Sequence, residues 1–152
     1  MASFVSTFIN KVDRKGRVSV PASFRASLSG QKFNGIVAFR SFKHAAIDAG
    51  GFDRLEKMSA SLEAIEEFSE HYEIVSSIFA DTEQLAFDGE GRIVLSESLI
   101  THAGIEESAA FVGLGLTFQI WEPERHKAHQ ADMRERAKTK GVTLPSARGV
   151  AS

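Results

Sequence analysis

The sequence predicts an α+β fold, mainly β, in which two copies of one strand-turn-strand unit share a single compact domain. A glycine-containing turn between alternating apolar and polar residues occurs around Gly16 and again around Gly91. Helical stretches lie between the two copies and after the second one. With 152 residues, of which 43% are hydrophobic, the chain is long enough to bury a core of its own.

The first copy begins with a hairpin over residues 4 to 20. Apolar residues on both sides of the turn recur at even intervals, which is the period of a half-buried strand: Phe4, Phe8, Val12, Val18 and Val20. In the turn, Asp13 can accept hydrogen bonds from the backbone, and Gly16 can adopt a positive φ. Pro21 lacks an amide donor, so the second strand should end there and a short helical turn should follow.

The same unit recurs at an offset of 75 residues. Asp88, Gly91 and Arg92 repeat the turn residues Asp13, Gly16 and Arg17, and the apolar positions after the turn repeat with them. The later strand at 36 to 39 falls on residues 111 to 114. An offset that holds over this many positions indicates an internal duplication.

The remaining elements follow from periodicity and turn signals. Strands are predicted at 36 to 39, 45 to 47, 110 to 113 and 118 to 121. Asp53 is the expected N-cap of a helix with the stripe Leu55, Met58, Leu62 and Ile65, and a second helix carries the stripe Phe68, Tyr72, Val75 and Phe79. A last helix from 124 to about 140 has a thin apolar stripe, which suits light packing or contact with another subunit. The predicted division is 1–47 first repeat, 48–80 helical connection, 81–122 second repeat, 123–140 C-terminal helix and 141–152 flexible tail.

Charge is segregated along the chain, although the net charge is only -2. Residues 1 to 47 contain eight Lys and Arg against one acid, a net +7. Residues 48 to 122 contain three against sixteen, a net -13, and residues 123 to 152 contain seven against three, a net +4. This segregation indicates one face for an anionic partner and another that repels that partner or meets a basic neighbour.

Several function classes receive no support from the residues. The chain has no cysteine, which excludes disulfides and thiolate metal sites and fits a reducing compartment. No apolar run approaches the roughly 20 residues of a membrane span, and no secretory signal begins the chain, so we expect a soluble cytoplasmic protein. His126 and His129 lie near Glu122 and Asp132 in the sequence, which could suggest a metal site. We expect ordinary surface histidines instead, because no third ligand is convincingly placed. The pairs His44 with Asp48 and His71 with Glu67 lack a nucleophile, so we expect no catalysis, cofactor or small-molecule substrate.

The motifs together resemble the MraZ family over nearly the whole chain except the tail. They are the stretch from Asp13 to Arg25, the second turn from Asp88 to Arg92, and Gly113 and Gly115 followed by Ile120 and Trp121. The resemblance implies two pseudo-symmetric AbrB-like repeats whose swapped, double-psi-like hairpins form one barrel. It also implies a transcriptional regulator that binds repeats in double-stranded DNA upstream of the division and cell-wall gene cluster, that associates with the nucleoid, and that assembles into homo-oligomeric rings.

The resemblance places the DNA-contacting motif on Asp13 and Arg17. Arg17 is the best candidate for a base contact, because arginine can contact a guanine edge through two hydrogen bonds. Asp13 would organise the loop, and Lys11, Arg14 and Lys15 would contact phosphates. Arg92 and Asp88 should contribute less, because the second loop has Gly89 and Glu90 in place of Arg14 and Lys15.

Two departures from the repeat and two other functions stay open. Ser96 stands where the first repeat has Pro21, and Ile100 stands where it has Arg25. An AbrB-superfamily antitoxin or another protein-binding module is the second reading, although two hairpin copies and a short tail favour the regulator. A third reading is an assembly protein without a DNA role, in which Arg17 could be replaced without loss of function.

Overall fold

The computed structural model of the chain describes residues 3 to 145 and shows an α+β fold dominated by antiparallel strands. Within these residues the strands are β1 Thr7–Lys11, β2 Arg17–Ser19, β3 Gly35–Arg40, β4 Ala46–Gly50, β5 Glu83–Ala86, β6 Arg92–Val94, β7 Ser108–Gly113 and β8 Phe118–Trp121. The α-helices are α1 Ala22–Ser27, α2 Phe52–Ser61, α3 Glu70–Asp81, α4 Glu97–Ala103 and α5 Pro123–Lys140, with a 3-10 turn at Leu62–Ala64. The predicted strands and helices are therefore confirmed as elements, with shifts of a few residues at their ends.

The strands of the two repeats pair with each other. Six of them form an open antiparallel sheet in the order β1-β7-β8-β4-β3-β5, and β2 pairs with β6 in a separate two-stranded ribbon. The first strand of each repeat thus lies against the third strand of the other repeat. The predicted single closed barrel is not found among the described residues, and β1 and β5 lie at the edges of the sheet. The likeness of each repeat to AbrB-type hairpins, and the division of the chain into five segments, stay predictions.

Within each hairpin the two strands are joined only beside the turn. In the first hairpin a single bridge joins Val12 and Val18, and the Asp13 amide donates to the Arg17 carbonyl over 3.0 Å. Beyond these contacts β1 continues into the sheet and β2 continues into the ribbon. The ribbon therefore covers one face of the sheet as a separate layer.

Aromatic and branched side chains fill the space between the sheet, the ribbon and the two short helices. The Phe24 ring of α1 lies 5.2 Å from the Phe4 ring and 5.0 Å from the Phe118 ring, measured between centroids. On the ribbon side, Val18 and Ile93 are each only 1% exposed. This core fixes both ribbon strands against the sheet and leaves their other face outward.

The helices between the repeats depart from the sequence predictions at three points. Leu62 and Ile65 of the first predicted stripe lie beyond α2, in and just after the 3-10 turn. The N-cap of α2 is Gly51, and Asp53 lies in the first turn, where its carboxylate is favourable beside the helix N-terminus. Phe68 is not part of the buried stripe of α3, because that helix begins at Glu70 after the Ser69 cap, and the Phe68 side chain is 91% exposed. Neither α2 nor α3 contains a fully buried residue.

The last helix follows the prediction closely. The Glu122 carboxylate caps α5 by accepting from the Glu124 and Arg125 amides, and Pro123 occupies its first turn. The helix packs on the sheet through His126, and every residue from 131 to 140 is exposed. Of the predicted tail, residues 146 to 152 lie outside the described residues. None of the helices between residues 3 and 145 is long and apolar enough to span a membrane.

Gly35 gives a test of the pairing between the repeats. A methyl group added there would lie 2.9 Å from the Ala86 Cα atom of β5 and 2.6 Å from the Phe33 ring, too close for carbon contacts. We expect Gly35→Ala to reduce the free energy of unfolding by about 1–3 kcal/mol, the usual cost of overpacking. Chemical denaturation measures this change in the free energy of unfolding.

Gly89→Ala is the matched control, because a methyl group there has no atom within 4 Å and the position is exposed. This substitution should change the free energy of unfolding by less than about 0.5 kcal/mol. Equal midpoints for the two variants would contradict the close contact between β3 and β5.

Candidate nucleic-acid interface

The first hairpin tip is organised by one carboxylate. Asp13 accepts hydrogen bonds from the backbone amides of Lys15 and Arg17, both over 2.9 Å, and from the Arg17 side-chain Nε over 2.6 Å. The Gly16 amide donates to the Asp13 carbonyl over 3.0 Å, with Gly16 at a φ of 82°. Asp13 therefore fixes both the turn and the direction of the Arg17 side chain.

The second hairpin tip repeats this arrangement. Asp88 accepts from the Glu90 and Arg92 amides over 2.8 and 2.9 Å, and from Arg92 Nε over 2.8 Å. Gly91 adopts a φ of 76°. The two repeats therefore present an arginine in the same way, as the shared turn chemistry predicts.

Both arginines lie on the outward face of the ribbon. Val18 pairs with Ile93, and both side chains are buried in the core. Because side chains alternate along a strand, the flanking residues Arg17 and Arg92 belong to the opposite face. Arg17 is opposite Val94 and Arg92 is opposite Ser19, so the arginines are two residues apart along the ribbon, about 6.6 Å at 3.3 Å per residue.

The electrostatic surroundings of the two arginines differ. Asp13 contacts Arg17 through Nε, and no other carboxylate among residues 3 to 145 lies within 4 Å of that guanidinium. The terminal Nη1 of Arg92 lies 3.6 Å from a Glu90 carboxylate oxygen. The Arg17 terminal nitrogens are therefore better placed to donate to an external acceptor.

The three other predicted cations surround the first tip. Arg14 and Lys15 lie in the exposed turn, and Lys11 ends β1 beside it. In the described part of the chain, none of their side chains forms an ion pair, whereas Arg17 pairs with Asp13. The structure thus groups all the predicted cations of the first repeat around one tip and places only Arg92, from the predicted set, at the other.

Arg25 lies at the second hairpin tip, although it was not among the predicted site residues. Its Nε donates to the Val20 carbonyl over 3.0 Å, and its guanidinium lies against Gly91, where an added methyl group would meet it at 2.7 Å. The first repeat thus supplies a cation to the tip of the second. The equivalent Ile100 side chain lies in the same way beside Gly16. In the sequence, the only sign of this role is that the second repeat has Ile100 where the first has Arg25. The role of Arg25 becomes visible only from its contact with Gly91 in the folded chain.

Both tip carboxylates are held in their charged form. The hydrogen bond from the Arg17 backbone amide has the largest effect and lowers the pKa of Asp13 below its usual 3.8. Burial opposes this shift, and the Arg17 guanidinium and the Lys15 amide lower the pKa further. In the second loop, the hydrogen bond from the Arg92 backbone amide has the largest effect and lowers the pKa of Asp88. Burial opposes this shift, and the Glu90 amide and the Arg92 guanidinium lower the pKa further. Both ion pairs are therefore present at neutral pH.

The histidines that could suggest a metal site have a packing role. The His129 ring stacks on Trp121 at 4.8 Å and contacts the His44 ring at 4.7 Å, and His126 is buried against the same Trp121. Burial lowers the pKa of both His126 and His129. Across residues 3 to 145 no group of three potential ligands could hold a metal ion. The Asp48 carboxylate accepts a hydrogen bond from Gln119 and is not hydrogen-bonded to His44. Trp121 is buried and packs against α5 through His126 and His129.

The organising role of the two carboxylates predicts their acid titration. A lowered pKa in the folded state means that each ion pair stabilises its tip above pH 3.8 and is lost as the pH falls through the folded value. Carboxyl NMR titration should give values below 3.8 for Asp13 and Asp88. Arg17→Ala should raise the Asp13 pKa only partly, because the backbone donors remain, and should leave Asp88 unchanged. A wild-type Asp13 pKa at or above 3.8 would contradict this geometry.

Comparisons with known proteins point to one family. A family model described as "MraZ protein, putative antitoxin-like" matches residues 78 to 143. The chain is 44% identical over 146 residues to a protein from Rickettsia bellii (strain OSU 85-389) named Transcriptional regulator MraZ, covering 95% of this chain and 97% of the relative. Proteins of the same name from Pelagibacter ubique (strain HTCC1062) and Rickettsia akari (strain Hartford) are 45% identical over 142 residues (93% and 92% covered) and 41% identical over 148 residues (97% and 99% covered). Such identity, over more than nine-tenths of both chains, shows that this chain belongs to the MraZ family.

Proposed function

We propose that the protein is a DNA-binding transcriptional regulator that reads its operator with the outward face of the β2–β6 ribbon. The observation that carries this proposal is the pair of carboxylate-oriented arginines on that face, surrounded at the first tip by Lys11, Arg14 and Lys15. The names of the relatives, transcriptional regulators, support the same conclusion.

The dimensions of the ribbon suit the major groove. That groove is about 12 Å wide and admits a two-stranded β-ribbon, and arginine contacts guanine O6 and N7 through two hydrogen bonds. Asp13 engages only Nε of Arg17, which leaves both terminal nitrogens for a guanine. The spacing of about 6.6 Å between the arginines along the ribbon corresponds to about two base-pair steps of 3.4 Å. We therefore propose that Arg17 and Arg92 contact bases about two positions apart.

The remaining cations would set affinity and register. Lys11, Arg14 and Lys15 are exposed around the first tip and would contact phosphates, which releases counterions and makes binding depend on salt. Arg25 would add a positive charge at the second tip, where Glu90 lies close to Arg92. We propose that the first tip supplies most of the affinity and the second tip a weaker contact.

A single ribbon is a small footprint, so we propose that the protein acts as a homo-oligomeric ring that presents several ribbons to DNA. Repeated operator elements would then be bound together, and each further contact would profit from a raised effective concentration. Following the family resemblance, we place these repeats upstream of the protein's own operon, in the division and cell-wall gene cluster. The regulator would therefore act in the cytoplasm at the nucleoid.

A protein-binding, antitoxin-like role is the second candidate, favoured by the description of the matching family model. In that role the acidic segment from 63 to 73, which is exposed at every Glu, would contact a basic partner protein. DNA binding that is lost with Arg17 favours the regulator, whereas a chain that binds no DNA upstream of its own gene favours this alternative.

Replacing the two arginines separately tests the proposal. Arg17→Ala should lose a two-hydrogen-bond base contact worth about 1–3 kcal/mol, a weakening of roughly 5- to 150-fold on a duplex from upstream of the protein's own gene. Arg92→Ala should weaken binding less, because Glu90 already competes for that guanidinium. Fluorescence anisotropy at several salt concentrations measures both.

Arg54→Ala is the matched control, since Arg54 is an exposed arginine of α2 outside the ribbon. It should bind like the wild type. Equal losses for Arg17→Ala and Arg92→Ala would contradict the asymmetry between the tips, and wild-type affinity for Arg17→Ala would overturn the proposed interface.

A further inference from the structure

A groove lies between the β1 edge of the sheet and helix α5. Its volume is about 490 Å³, and its apolar lining includes Ile9 and Ala110 of the sheet and Ala131 of the helix. The Ile9 side chain is 60% exposed although it lies on the sheet. Lys127 and Arg134 line the helix side of the groove against one carboxylate, Glu124, so the rim carries a net positive charge.

A second surface has the opposite character. The segment from Glu66 to Glu70, which we name the acidic tip, joins the 3-10 turn to α3 and carries Phe68 with its side chain 91% exposed. Glu66, Glu67 and Glu70 flank this phenylalanine in the sequence and are themselves exposed. No Lys or Arg occurs between residues 58 and 80, so the local charge is strongly negative. An exposed aromatic residue inside a charged rim is typical of an interface anchor.

We propose that the acidic tip of one copy of this chain binds the β1–α5 groove of a second copy. Phe68 would lie against the apolar lining at Ile9 and Ala110, and Glu67 and Glu70 would lie beside Lys127 and Arg134. Charge complementarity favours this occupant. The acidic tip has an apolar side chain within a negative rim, and the groove has an apolar lining within a positive rim. The opposite net charges of residues 48 to 122 and 123 to 152 then serve self-association.

This inference deepens the homo-oligomer proposed above and rests on it. The tip and the groove are different surfaces, so the contact is heterologous, and each copy keeps one free tip and one free groove until the assembly closes. A heterologous contact produces a ring when its rotation closes. Neither surface includes the Asp13 or Asp88 hairpin tips, which leaves the ribbon free for DNA.

Paired charge reversals test the contact through the mass of the assembly. The groove-reversed variant is Lys127→Glu with Arg134→Glu, and the tip-reversed variant is Glu67→Lys with Glu70→Lys. Light scattering coupled to size-exclusion chromatography should show each variant alone falling toward the 16.6 kDa monomer. An equimolar mixture should regain the wild-type mass, because each reversed surface then meets an opposite charge. Recovery on mixing also shows that both variants are folded.

Lys138→Glu with Lys140→Glu is the control, since it makes the same charge change on the same helix outside the groove, and it should keep the wild-type mass. A groove-reversed variant with wild-type mass, or a mixture that fails to reassemble, overturns the inference. Binding of a single DNA repeat is measured on the same samples. A monomeric wild type that still binds DNA through Arg17 would overturn the contact and the ring together while leaving the ribbon interface intact.

Discussion

The structure depends on the antiparallel pairing of β2 with β6, which joins the two repeats at their hairpins. The Leu95 amide donates to the Gly16 carbonyl over 2.8 Å, and the Val20 amide donates to the Gly91 carbonyl over 3.1 Å. A methyl group on Gly16 would lie 2.6 Å from the Leu95 carbonyl oxygen, so each turn glycine accommodates the other repeat as well as its own turn. The ribbon positions both arginines because neither hairpin can move independently.

The two tips differ in charge, which gives this ribbon its polarity. Each tip has a carboxylate that orients its arginine. Within residues 3 to 145, Arg14 and Lys15 form no ion pair beside Arg17, whereas at the second tip Glu90 lies near Arg92. Arg25 crosses from the first repeat to the second tip and returns part of the missing charge. On the proposed interface, one chain would present a strong and a weak contact from a nearly symmetric scaffold, and this difference would orient it on an asymmetric DNA sequence.

The sequence predicted what local chemistry determines. The turn at Asp13, the end of β2 before Pro21 and the start of α5, within one residue of the predicted position 124, all follow from residues within one turn of the chain. Pairing of β1 with β7, and the resulting open sheet, required contacts between residues about 100 positions apart, which periodicity does not encode. Phe68 was misassigned to a buried stripe because the 3-10 turn and the Ser69 cap break the helical phase before α3 begins.

Methylation interference on the operator duplex tests the central claim most directly, because dimethyl sulfate marks guanine N7 in the major groove and adenine N3 in the minor groove. Docking of the ribbon predicts interference at two guanines about two base-pair steps apart, and loss of only one of these signals with the Arg17→Ala protein. Interference confined to adenine N3, or a pattern that is the same for wild type and Arg17→Ala, would contradict major-groove reading by the β2–β6 ribbon.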